Sequence, residues 1–152
     1  MKAYDFLCQV KELEQTIRIK QAEIDKWKNI AENSNAQAEG EKVQTSKTQQ
    51  SMENAVAIYV DIQREVEDCY NKLIEAMRDV TKVIEQLPLA EYDMLHKVYI
   101  GRMKETKTGE KYTEYMTLKE VAMSQCKSYS WATNIHSSAK KHVQEILDSR
   151  QK

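Results

Sequence analysis

Proline, glycine and phenylalanine are nearly missing from this chain, which has one Pro, three Gly and one Phe in 152 residues. So few helix breakers suit a largely helical, soluble protein. The three cysteines, Cys8, Cys69 and Cys126, lie far apart with no CxxC or CxxH spacing, and no zinc or other metal site is expected. An odd cysteine count without a signal peptide points to a reducing cytosol. No apolar run approaches the length of a membrane span, so no membrane partner is expected. Catalytic signatures are lacking too. There is no Gly-rich phosphate loop, no His-Glu-x-x-His and no Gly-x-Ser-x-Gly, and the only histidines are His96, His136 and His142. Neither an enzyme nor a cofactor is expected.

What is present is helix-forming. Hydrophobic residues make up 41% of the chain and charged residues 31%, a profile of long helices with solvated faces. The positions Ala3, Phe6, Val10, Leu13, Ile17, Ile24, Trp27 and Ala31 alternate three- and four-residue steps, interrupted only by Lys20. A second such series runs through Met52, Ala55, Tyr59, Ile62, Val66, Cys69, Leu73, Ala76, Val80, Val83 and Leu87. Heptads of this length indicate coiled-coil helices. Between them, residues 33–50 are polar and are read as a flexible linker. Two such stripes fit an antiparallel hairpin that also mediates self-association, and equally the inner faces of a helical bundle.

Pro88 divides the chain into a hairpin or coiled coil at 1–87 and a second domain at 88–152. The first part carries 12 Lys and Arg against 16 Asp and Glu, net −4; the second carries 11 against 8, net +3. Leu89, Tyr92, Leu95, Val98 and Tyr99 predict a short amphipathic helix over 89–100. In the segment 102–116, Gly109 flanked by Thr and Tyr predicts a small β-hairpin, in an otherwise all-α fold. Its Arg102, Lys104, Lys107 and Lys111 are candidates for a wing that follows a phosphate backbone.

Residues 116–139 read as a helix-turn-helix. Thr117-Leu118-Lys119-Glu120 is a capping box, and Met116 and Val121 are placed for a hydrophobic staple. Leu118, Val121 and Ala122 then share a face. After the break at Gln125-Cys126-Lys127, Ser128 caps a second helix whose inner face is Ala132, Ile135, Ala139, Val143 and Ile146. Two short capped helices joined by a tight turn are a common way to set a helix into the DNA major groove. The outward positions near its start, Tyr129, Ser130, Thr133 and Asn134, would then read bases. Asn can bond adenine bidentately, and Ser and Thr can meet several base edges. Lys119, Lys127, Ser128, Ser137, Lys140 and Lys141 are suited to phosphates. Trp131 fits either packing on neighbouring helices or contact with DNA, and His136, beside the apolar face, reads as a satisfied edge residue rather than a ligand. The reading face has no Arg, so the commonest guanine contact is missing.

Residues 87–147 resemble region 4 of sigma factors. The run Leu-Pro-x-x-Glu-Tyr-x-x-Leu-x-x-x-Tyr-Ile at 87–100 is similar to the entry helix. Thr117-Leu-Lys-Glu-Val-Ala122, Ser128, Ala132, Ile135-His136 and Ala139 fall in register with the family's helix-turn-helix. Tyr4-Asp-Phe-Leu7, the Lys-Val-Gln-Thr-Ser run at 42–46 and the segment 54–61 extend the likeness to the sigma-region-4-like proteins of phages and prophages in Gram-positive bacteria. These resemble late-gene transcriptional activators of the RinA and ArpU type. The resemblance implies sequence-specific binding of double-stranded DNA near phage promoters in the cytoplasm of a bacterial host, with RNA polymerase as a further partner. Two departures stand out: the 102–115 insertion, and the changed motif residues, with Cys126 where the family often has Gly and Tyr129 and Thr133 where it usually has basic residues. The residues leave two other classes open, a coiled-coil adaptor that binds a protein partner and a small terminase-type packaging subunit.

Overall fold

The structure is a computed structural model that describes residues 1–38 and 45–152, those at 34–38 and 45–48 for their helical backbone alone. The described residues are mostly helical (79%), with five helices and one small antiparallel sheet. Helix α1 spans Ala3–Ala38 and α2 spans Thr45–Ile84. At about 1.5 Å per residue they are about 54 and 60 Å long. Neither contains Gly or Pro. That explains why helix occupies 33–38 and 45–50, the two ends of the segment that composition marks as a linker: both stretches are polar, yet neither holds a Gly or Pro to break the helix. Residues 39–44, and with them much of the 42–46 run, lie outside the described part.

Packing divides the chain into two compact units, Leu13–Leu73 and Met1–Glu12 with Ile74–Lys152. In the first, the heptad positions Ile17, Ile24, Ala31, Ala55, Ile62, Val66 and Leu73 are buried. Lys20, the polar break in the α1 stripe, has its Nζ 2.6 Å from Glu65 Oε2, and that carboxylate raises the lysine's pKa. Gln21 Nε2 donates to the Tyr70 hydroxyl, and the Lys28 ammonium sits over the Tyr59 ring.

The second unit joins the two ends of the chain. Phe6, Leu7 and Val10 of α1 are buried. The Ala3 amide donates to Gln144 Oε1 at 2.8 Å, and Arg150 pairs with Asp79 at 2.8 Å. Lys11 lies over two rings, 5.3 Å from the centre of Tyr99 and 4.8 Å from that of Tyr115. Burial there lowers its pKa, and the ring faces supply part of the lost hydration.

Pro88 stands at the N-cap of α3, Leu89–Leu95, which runs on as a π-helical turn over His96–Ile100. The turn ends at Gly101, whose amide donates to the His96 carbonyl at 2.8 Å. The amphipathic reading of this stretch needs one correction. Leu89 is 80% exposed, whereas Glu91 is only 6% exposed and lies in line with Met94, Leu95 and Val98. Charged residues are rarely fully buried, so pattern reading assigns the stripe to the wrong member of the first turn.

Strands β1 (Arg102–Glu105) and β2 (Lys111–Glu114) pair antiparallel, Arg102 opposite Glu114 and Glu105 opposite Lys111. The turn between them is held by Thr106, whose Oγ1 accepts from the Glu110 amide, and by Gly109 at φ +89°. Met116 then ties back, its amide donating to the Lys97 carbonyl at 3.0 Å. Helices α4 (Leu118–Ser124) and α5 (Tyr129–Arg150) follow, and both α3 and α4 pack on α5. The inner face of α5 is Ala132, Ala139, Val143 and Leu147; Ile135 and Ile146, expected inside, are half-buried. The N-terminal turns of α1 belong to the same unit, and Leu147 rather than Ile146 completes the buried face of α5.

Candidate nucleic-acid interface

Both helix starts are capped as their sequences require. Thr117 Oγ1 accepts from the Glu120 amide at 3.2 Å, and the Thr117 hydroxyl donates to Glu120 Oε1. The glutamate thus answers the threonine's side chain, a variant of the capping box. Ser128 Oγ accepts from the Trp131 amide at 3.1 Å.

The turn between α4 and α5 is set by backbone bonds. The Lys127 amide donates to the Ala122 carbonyl at 2.9 Å, and the Cys126 amide to the Met123 carbonyl at 3.2 Å. This paired closure requires a left-handed residue at the inner position. Cys126 takes it, at φ +55°. A side chain there costs roughly 1–2 kcal/mol relative to glycine's freedom, offset by glycine's larger loss of chain entropy. Cys126→Gly is therefore expected to raise stability by up to about 1 kcal/mol, seen as a rise of about 2–4 °C in the thermal midpoint. No change, or a loss, would mean that the thiol contributes contacts that outweigh the strain.

Of the four base-reading candidates, Tyr129 (60% exposed), Ser130 and Asn134 are exposed. Thr133 is half-buried and its hydroxyl donates to the Tyr129 carbonyl at 3.0 Å, so it is engaged within the helix. Lys119, Lys127, Ser128, Ser137 and Lys141 are exposed and Lys140 half-buried. Among the described residues none of these four lysines is in an ion pair. An open cleft of about 540 Å³ is lined by Thr117, Leu118, Lys119 and Tyr129, between the starts of α4 and α5.

The four hairpin cations divide into two pairs. Lys104 Nζ lies 2.6 Å and Arg102 Nε 3.6 Å from Glu114 Oε2, and these partners hold the Glu114 carboxyl below its usual range. Lys107 and Lys111 are exposed near the turn, in no ion pair among the described residues. Register decides this division, because Arg102 and Lys104 share a face with Glu114.

Behind the exposed face, α5 is held by side-chain pairings that local reading does not supply. Glu91 Oε1 accepts from the Ser138 hydroxyl at 2.8 Å, and Glu91 Oε2 lies 2.7 Å from His142 Nδ1. The Tyr99 hydroxyl and His136 Nε2 are 2.7 Å apart with their rings stacked. Burial pushes the Tyr99 pKa up to about 12. Asp93 accepts from Gln125 at 2.8 Å and pairs with Lys97 at 2.9 Å, joining α3 to the end of α4. Trp131 and His136 are half-buried. A mixed cavity of about 190 Å³ lies beneath the hairpin, bounded by Asp93, His96, Lys97, Arg102, Glu114 and Met116. Among the described residues no cluster of His, Cys, Asp and Glu could hold a metal ion, and no helix is long and apolar enough to cross a membrane. Comparison of the chain with protein-family models, with curated proteins and with solved structures finds no match.

Proposed function

We propose that this protein binds double-stranded DNA sequence-specifically and regulates transcription, with 116–139 as a helix-turn-helix and 129–147 of α5 as its recognition helix. The observation that carries the reading is the pairing of two capped helix starts across a tight turn, with Lys119 and Lys127, in no ion pair among the described residues, beside the exposed Tyr129, Ser130 and Asn134. Such a surface offers cations and backbone N–H groups to phosphates, and amide and hydroxyl groups to base edges. Thr133 contributes its methyl group, since its hydroxyl is engaged. Lys107 and Lys111 are the wing residues best placed to meet a phosphate backbone. Arg102 and Lys104 would first have to leave Glu114.

The late-gene role in phages or prophages, and contact with RNA polymerase, rest on the sequence resemblance. The reading assigns the chain no catalytic reaction and no cofactor, and it places the protein in the cytoplasm of a bacterial host. The pairs Lys20–Glu65, Gln21–Tyr70 and Lys28–Tyr59 support an antiparallel hairpin of α1 and α2. Exposed Ile19, Ile30 and Ile58 on that unit favour a second role for it in self-association or protein contact. An adaptor or a ring-forming packaging subunit would use the same surface.

Fluorescence anisotropy against a pool of short duplexes at two salt concentrations tests the reading. Lys127→Ala is expected to weaken binding uniformly and to lower the salt slope by about 1. Asn134→Ala is expected to cost about 1–3 kcal/mol on the preferred duplex and to relax the preference at one base pair. A wild-type protein without salt-sensitive duplex binding would transfer the function to the helical unit and its protein partners.

A further inference from the structure

Among the described residues, Glu91 is the one charged side chain buried with the core. A buried carboxylate is costly unless it is paired and hydrogen-bonded, and an apolar side chain of similar size often serves stability as well or better. What the carboxylate adds is geometry. Its two oxygens engage Ser138 and His142, one turn apart on the same face of α5. Rotating α5 by a single residue, about 100°, would carry both partners away and strand the charge. The same rotation would move Tyr129, Ser130 and Asn134 off their outward face.

We propose that Glu91 is a positioning residue that fixes the rotation of α5 about its axis, and that the proton on His142 sets how firmly it holds. The inference rests on the reading of α5 as a recognition helix for its effect on DNA, though not for its effect on α5. His142 is 43% exposed at its side chain, so solvent can reach the proton while the carboxylate stays buried at 8%. The charged groups acting on His142 are Glu91 from α3 and Glu145 from the next turn of α5. Glu91 is the larger influence, and together they raise the imidazole's pKa. The hold is therefore complete below the ordinary histidine value of about 6.5 and is lost as pH rises through the higher folded value. His136 runs the other way. Burial, with Lys140 on α5 and Lys11 on α1, lowers its pKa while Tyr99 faces it from the π turn. Its contribution is present above about 6.5 and is lost as pH falls.

The test uses the full chain as wild type, Glu91→Gln and His142→Gln. In Glu91→Gln the amide oxygen still accepts from Ser138, but no charge remains to hold the imidazolium. NMR titration of the ring protons is expected to put the His142 midpoint above the ordinary histidine value in the wild type and lower in Glu91→Gln, with His136 unmoved. Amide exchange over 129–137 at pH 6 is expected to quicken by roughly tenfold in both variants relative to α2. Preference for the selected duplex over a scrambled one is expected to fall between pH 6 and 8 in the wild type and to lose that fall in both variants, where only the opposite trend of His136 remains. Unchanged exchange over 129–137, or a His142 midpoint indifferent to Glu91→Gln, overturns the proposal. Shifted titration and exchange in a protein that binds no duplex would uphold the positioning role and refute the DNA reading alone.

Discussion

Gly101→Ala is expected to cost about 3–4 kcal/mol, one of the largest losses available to a single methyl group in this protein. Gly101 sits at φ +72° and ψ −171°, a region that residues with a Cβ hardly ever enter. The added Cβ would lie 2.5 Å from the Glu114 carbonyl oxygen and 2.9 Å from Thr113 Cγ2. That carbonyl belongs to the strand opposite β1 and cannot retreat without disturbing the Arg102–Glu114 pairing. The damage spreads along the chain in both directions, into the π turn that Gly101 closes and into the hairpin it opens. Gly109→Ala is the internal control. It also has a positive φ, of +89°, but its Cβ would meet only Glu105 Oε1, at 3.8 Å, so about 1–2 kcal/mol of backbone strain is expected. Thermal unfolding followed by circular dichroism separates the two. Equal losses would mean that the close approach of Gly101 to β2 is not what demands glycine.

Leu7→Ala is expected to cost about 2–5 kcal/mol, because Leu7 is completely buried and its removal leaves a cavity. Ile19→Ala, on the same helix but with its side chain exposed, should change stability by no more than about 0.5 kcal/mol. The informative readout is where protection is lost. Residues Met1–Glu12 pack in one unit with Ile74–Lys152, so Leu7→Ala should speed amide exchange in α5 as well as in the start of α1. Loss confined to α1 would show that its first turns are an appendage rather than part of that unit's core.

The elements legible in the sequence are those set by near neighbours. The absence of Gly and Pro from α1 and α2, the threonine and serine caps of α4 and α5, and Gly109 in the hairpin each act over three or four residues. A local pattern contains all the information they need. The same locality misleads at 33–38 and 45–50, where polarity reads as the end of a helix, and at Leu89, where hydrophobicity reads as burial. In the candidate interface, the exposed positions Tyr129, Ser130 and Asn134 follow from helical period alone. The engagement of Thr133 with its own backbone, and the capture of Arg102 and Lys104 by Glu114, depend on rotamer and strand register, which composition does not encode.

Residue chemistry and spacing thus decide that this chain is helical, where α4 and α5 begin, that a hairpin interrupts the helices, and which side chains of α5 can face outward. Folding in three dimensions decides which distant segments meet. The bond from Ala3 to Gln144 spans 141 positions, the one from Tyr99 to His136 spans 37, and the one from Glu91 to His142 spans 51. No periodicity reaches across such intervals. A glutamate becomes a core residue only because two partners on α5 arrive to satisfy it, and their arrival is a property of the packed chain.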